Sequence, residues 1–232
     1  MLKAKSLRAF CAASVLSCCT SLVCADLLTV TTEIPATAIP GAGYSDFLEI
    51  EQFTPLPGEI LTQVDFDLLL DFSGTMGFEN TDPNVATFYQ LKLTWSLDLH
   101  LPEDLQDPNE PPLIGVLASR VVQGLVDPYD GEIDFDGPSG RTFDVVAEDE
   151  AGSGGPLVDA EDLAAFTGTG SVALPLTAIY LEEAKAANTI LFESLFENVR
   201  FEGELSVTYT YIPEPMLAGF VLLVGLALRR IR

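Results

Sequence analysis

The sequence predicts an all-β domain: an antiparallel β-sandwich, jelly-roll-like, with few short helices. Three observations carry this. Leu91, Leu93, Trp95, Leu97 and Leu99 alternate with Lys92, Thr94, Ser96, Asp98 and His100. A period of two marks a strand with one buried and one wet face, the habit of antiparallel sheets. Phe201, Leu205, Val207, Tyr209 and Tyr211 repeat the pattern over residues 200–211. Between these two runs lie many short apolar segments separated by Gly, Pro and Asp, and few of them have a helical period.

The elements follow in chain order. Residues 27–32 are a first strand. Residues 60–72 form the next, with Val64, Phe66, Leu68, Leu70 and Phe72 facing one way and Asp65, Asp67 and Asp71 the other. The strand at 87–101 stops at Pro102. Residues 102–112 hold four prolines and read as a loop. Further strands are expected at 113–126, 132–136 and 141–147. Ala151-Gly152-Ser153-Gly154-Gly155 reads as a glycine-rich turn. Residues 159–166 suit a short helix N-capped by Asp159. A strand over 170–176, a short helix over 181–187 and the closing strand at 200–211 complete the domain. No internal repeat of fixed period is present.

The two ends differ from this pattern. Lys3, Lys5 and Arg8 precede an apolar, small-residue stretch, and Val23-Cys24-Ala25 places small residues where a signal peptidase reads. Residues 1–25 are therefore expected to be a signal peptide with a helical apolar part, cleaved between Ala25 and Asp26. A lipoprotein signal ending at Cys18 competes, but Leu16 fits that pattern poorly. All four cysteines fall in this segment, so the mature chain would have neither disulfides nor thiol chemistry. At the other end, Pro213-Glu214-Pro215 can continue neither strand nor helix. The uncharged run 216–228 follows, then Arg229, Arg230 and Arg232. As a helix the run would span about 20 Å, against a bilayer core of about 30 Å. It can cross only with arginine snorkelling and local thinning. The arginines predict a cytoplasmic C-terminus. A helix buried in the domain is the competing reading, but the run lacks a polar face.

This tail resembles a PEP-CTERM sorting signal in its three pieces: the motif Pro213, Glu214 and Pro215, a short transmembrane segment over 216–228, and the basic end 229–232. The resemblance implies recognition by an exosortase, a membrane enzyme that processes such tails near the tripeptide. This chain would be its substrate. Within the domain three stretches are similar to the choice-of-anchor type E group: Phe53-Thr54-Pro55 leading into 61–64, the segment 162–170, and Val207-Thr208-Tyr209-Thr210-Tyr211 running into the tail. That group implies an extracellular, anchor-associated domain and supplies no catalytic residue.

The span 26–212 carries 34 acidic residues against Lys92, Arg120, Arg141, Lys185 and Arg200, a formal charge of −29. Nucleic acid and anionic membrane surfaces are thereby disfavoured as partners. Catalytic groups are sparse. His100 is the only histidine, on the polar phase of its strand, and no Gly-x-Ser-x-Gly elbow is present. The best metal candidate is the calcium-like string Asp130, Glu132, Asp134 and Asp136. Glu132, Asp134 and Asp136 occupy the first, third and fifth positions of an EF-hand loop, but the twelfth is Phe143 where a bidentate Glu is needed. The competing reading places these acids on the wet face of a short strand. The expectation is an exported, non-enzymatic surface or matrix protein without an obligate cofactor. A carbohydrate- or calcium-binding module acting on extracellular polysaccharide ranks second, and a secreted hydrolase ranks last.

Overall fold

Eight strands and one short helix make up the fold among the described residues. The computed structural model describes residues 25–102, 104–106 and 110–213. The strands are β1 (Asp26–Ala38), β2 (Tyr44–Glu51), β3 (Ile60–Asn80), β4 (Thr87–Leu99), β5 (Ile114–Val126), β6 (Gly140–Leu157), β7 (Ser171–Ala186) and β8 (Phe192–Ile212), with helix α1 (Ala160–Ala165) between β6 and β7. They form two four-stranded sheets, ordered β1-β8-β3-β6 and β2-β7-β4-β5. Every strand pairing within them is antiparallel. The pairs 1·8, 2·7, 3·6 and 4·5 show a chain folded as one long double ribbon and then wrapped, which is the jelly-roll order of a two-sheet sandwich.

The period-two pattern becomes the core. In β4 each of Tyr89, Leu91, Leu93, Trp95, Leu97 and Leu99 is buried, as are Val64, Phe66, Leu68, Leu70 and Phe72 in β3. The two inner faces meet through aromatic contacts. Phe72 stacks on Trp95 with centroids 5.9 Å apart, and Phe66 meets Phe166, at the end of α1, edge-on at 5.5 Å. The Tyr209 hydroxyl donates to the carbonyl of Glu51 at 2.7 Å, tying β8 to the end of β2. Burial drives the Tyr209 pKa far above that of an exposed tyrosine. Among the described residues the buried hydrophobic side chains all lie between Ile34 and Tyr209. The segment 26–212 thus holds the whole of the described core. Asp26 pairs with Tyr211, so both ends of the domain leave side by side from adjacent strands of the same sheet.

Several expectations change. Residues 181–186 are strand, the second half of β7, and not helix. Glu, Ala and Lys favour a helix locally, but β4 offers an unpaired edge and the ladder Thr94↔Leu181, Lys92↔Glu183 takes the segment. Ala151–Gly155 is not a turn either. It runs inside β6, where Gly152 and Gly154 face β5. A Cβ on Gly152 would sit 2.5 Å from the Ile114 Cγ2 atom, and one on Gly154 would sit 2.6 Å from the Leu113 carbonyl oxygen. These glycines let the edges of the two sheets close on one another. Residues 132–136 form no strand. The helix starts where expected, but Asp159 makes no side-chain capping bond. Strand β2 and the first half of β8 were not anticipated. The expected signal helix over 1–25 lies outside the described residues except for Ala25, and the expected transmembrane helix lies wholly outside them. No helix among the described residues is long and apolar enough to cross a membrane.

Candidate functional site

The acidic loop after β5 packs on the end of β3. From Thr75 to Asn80 this strand is buried on both faces. The inner face holds Met76 and Phe78, the latter stacked on Tyr89 at 4.8 Å and Phe192 at 5.3 Å. The outer face holds Gly77 and Glu79, and the loop covers it. Glu79 is fully buried, and its Oε2 accepts the N–H of Phe135 at 2.9 Å. Phe135 sits at φ 57°, an outlier for an aromatic residue, and its carbonyl accepts from the Thr142 hydroxyl at 2.9 Å. Its ring lies so close to Gly77 that a Cβ there would meet Phe135 Cδ1 at 3.0 Å. Asn80 completes the attachment by donating to the carbonyls of Val85 (2.7 Å) and Asp127 (2.8 Å).

The other Glu79 oxygen, Oε1, has no hydrogen-bond partner. Burial pushes the Glu79 pKa above the usual carboxylate range, and the charges of Asp130 and Asp134 add to the rise. The Ser139 hydroxyl and the Phe135 N–H pull the other way.

The expected calcium residues have local roles here. Asp130 Oδ1 accepts the Glu132 N–H at 3.2 Å, and Asp134 Oδ1 accepts the Asp136 N–H at 2.9 Å. Both contacts are Asx turns that shape the loop. Among the described residues no three His, Cys, Asp or Glu side chains gather as a cation requires. Asp130 and Asp134 thus each close a turn within the loop, and the four acids do not form a three-carboxylate cluster among the described residues.

A second feature lies on the outer face of the β1-β8-β3-β6 sheet. A shallow groove of about 340 Å³ is lined by Asp67, Leu69, Ala151, Ser153, Glu204 and Ser206. Register creates it: Asp67 lies between Ser153 and Ser206, and Leu69 lies between Ala151 and Glu204. Small side chains on β6 and β8 leave the floor low, with carboxylates and hydroxyls at its edge. Such a lining can accept hydrogen bonds from a neutral, hydroxyl-rich ligand. Sequence reasoning missed the groove because three strands distant in the chain build it.

His100 is in neither place. Its Nδ1 is hydrogen-bonded to Gln106 at 2.9 Å, and its backbone N–H donates to Pro175. No serine or carboxylate is hydrogen-bonded to it among the described residues, so the geometry of a Ser-His-Asp relay is not formed there. Of the residues expected to take part in processing, Ala25, Asp26 and Pro213 are described: Asp26 begins β1, and Pro213 directly follows β8. Glu214, Pro215, Arg229, Arg230 and Arg232 lie outside the described residues. No protein-family model matches the chain, and no curated protein is significantly similar to it.

Proposed function

We propose that this is an exported, non-enzymatic protein of the cell surface or extracellular matrix, sorted through its C-terminal tail by an exosortase-type enzyme and held at the membrane only until processed. One observation carries the reading. The first strand starts at Asp26, directly after the signal-cleavage position, and the last ends at Ile212, directly before the Pro-Glu-Pro motif. Cutting at both places would leave every strand whole. The resemblance to the choice-of-anchor type E group agrees with such a role. The test is intact-mass analysis and cell fractionation of the native protein, in cells with and without an exosortase. A surface or medium product that begins at Asp26 and ends near Pro213 is expected, with a membrane-retained, unprocessed C-terminus when the enzyme is missing. A mature protein that keeps residues 216–232 in the presence of the enzyme would sink the reading.

A second reading, binding of a neutral extracellular polysaccharide, is favoured by the groove of Asp67, Ser153, Glu204 and Ser206. Affinity electrophoresis through neutral and anionic polysaccharide gels tests it. Retardation by a neutral polymer that is lost in Asp67→Ala supports this reading, and unchanged mobility in every gel rejects it.

A further inference from the structure

We propose that the outer face of the β2-β7-β4-β5 sheet is a self-association surface that pairs with a second copy of this chain across a two-fold axis. This face differs from the rest of the molecule in charge. The outward positions of the opposite sheet include Asp65, Asp67, Asp71, Glu202 and Glu204. The outward positions of the four strands concerned carry four acids (Glu49, Glu51, Asp98, Glu183) and two of the domain's five basic residues, Lys92 and Lys185. In a domain of formal charge −29, this is the surface where a like-charged copy is least repelled. Screening at physiological salt, with a Debye length of about 8 Å, weakens repulsion from the remainder.

The face is apolar at its centre. Leu117, Val121, Ile179 and Leu181 are all exposed, and they lie beside the short side chains Thr94 and Ser96. Exposed apolar groups gathered in this way mark an interaction site.

The charges are ordered along the strands. Lys92 and Lys185, both ion-paired with the intervening Glu183 at 2.9 Å and 3.2 Å, lie on one side of the Thr94 and Ser96 rows, and Asp98 and Glu49 lie on the other. A two-fold axis parallel to the sheet and just outside its face, crossing over β4 between Thr94 and Ser96, reverses the strand direction of the second copy. It sets Lys92 over Asp98 of the second copy, Lys185 towards its Glu49, and Ile179 on its Leu181. Such an isologous contact is self-complementary in charge and in apolar surface. Rows of same-face residues recur about every 6.8 Å and strands about every 4.8 Å, so about six rows on three to four strands cover on the order of 600–800 Å² per copy. A specific dimer buries roughly that much on each side.

Sedimentation equilibrium at 0.15 M NaCl tests the surface on residues 26–212, which hold the complete described core, with far-UV circular dichroism as the control for folding. The wild type is expected to be a dimer. Ile179→Glu with Leu181→Glu, both at exposed positions, is expected to weaken dimerisation by about tenfold or more while leaving the strand spectrum unchanged. Lys92→Asp and Asp98→Lys should each weaken it, and the combined charge swap should restore it. A wild-type monomer at about 200 µM, whether the face is bare or covered by the chain's own tail in the full-length protein, overturns the proposal. So does a dimer that survives Ile179→Glu with Leu181→Glu, or one the charge swap fails to restore.

Discussion

The carboxylate of Glu79, with no exposed surface, accepts the N–H of Phe135 at 2.9 Å and holds that residue in a left-handed conformation. This one contact explains why an acid stands in a doubly buried stretch of β3. The left-handed conformation of Phe135 is unfavourable by about 1–3 kcal/mol and persists only where surrounding contacts fix it. Here the contacts are Glu79 beneath, Thr142 beside and Gly77 under the ring.

Glu79→Ala is expected to destabilise the domain by about 1–3 kcal/mol, because the Phe135 N–H loses its acceptor. The pH dependence follows from the raised pKa of Glu79. The fold favours the neutral acid, so its contribution is fully present below the ordinary glutamate value and declines as pH rises through the raised one. Glu79→Gln keeps an acceptor for Phe135 and cannot ionise. Thermal melts from pH 4 to 7 should show the wild type losing stability relative to Glu79→Gln as pH increases. Parallel curves would disprove the assignment.

Tyr209→Phe removes the hydroxyl bonded to the Glu51 carbonyl. Urea unfolding is expected to show a loss of about 1 kcal/mol, a typical net value for one hydrogen bond. The sign with pH is again that of a raised pKa, driven by burial. Stability from the neutral phenol is present below the ordinary tyrosine value and disappears as pH rises beyond it. Alkaline unfolding should accordingly be less steep in Tyr209→Phe.

Gly152→Val tests the closure of the two sheets. A Cβ at this position already meets Ile114 at 2.5 Å and Val116 at 2.8 Å. Overpacking of this kind destabilises by about 1–3 kcal/mol. The same substitution at Gly131, which has open space around it, meets no neighbour but adopts an unfavourable φ of 112°. Comparing urea midpoints separates crowding from backbone strain. A Gly152→Val protein as stable as the wild type would show that the sheet edges are not in firm contact.

Removal of residues 213–232 should leave folding intact, because the two inner sheet faces between Ile34 and Tyr209 already bury one another among the described residues. Near-UV circular dichroism of residues 26–212 should retain the signal of Trp95 packed on Phe72. Aggregation of this fragment, or loss of that signal, would show that the tail belongs to the core.

Alternation along the chain was enough to place β3, β4 and the second half of β8, since each has one apolar face that must leave water. It also predicted two antiparallel sheets. It was not enough where neighbours override local preference. Leu181, Glu182, Glu183 and Ala184 look helical in isolation and are strand because β4 has an edge to pair. Gly152 and Gly154 read as a turn and are instead the points where two sheets meet. The spacing of Asp130, Glu132, Asp134 and Asp136 resembles part of a calcium loop, but in the fold the carboxylates of Asp130 and Asp134 accept the backbone N–H groups of Glu132 and Asp136.

By itself, then, the sequence determined which faces are dry, the excess of acidic charge and the two terminal segments that frame the domain, because these depend on composition and local period alone. Only the tertiary structure decided which strands lie side by side, that Glu79 is buried beneath Phe135, and that two lysines and an apolar patch share one face with four acids. The physical reason is register. A period of two says that alternate residues point the same way, but only pairing between strands far apart in the chain says what they point at.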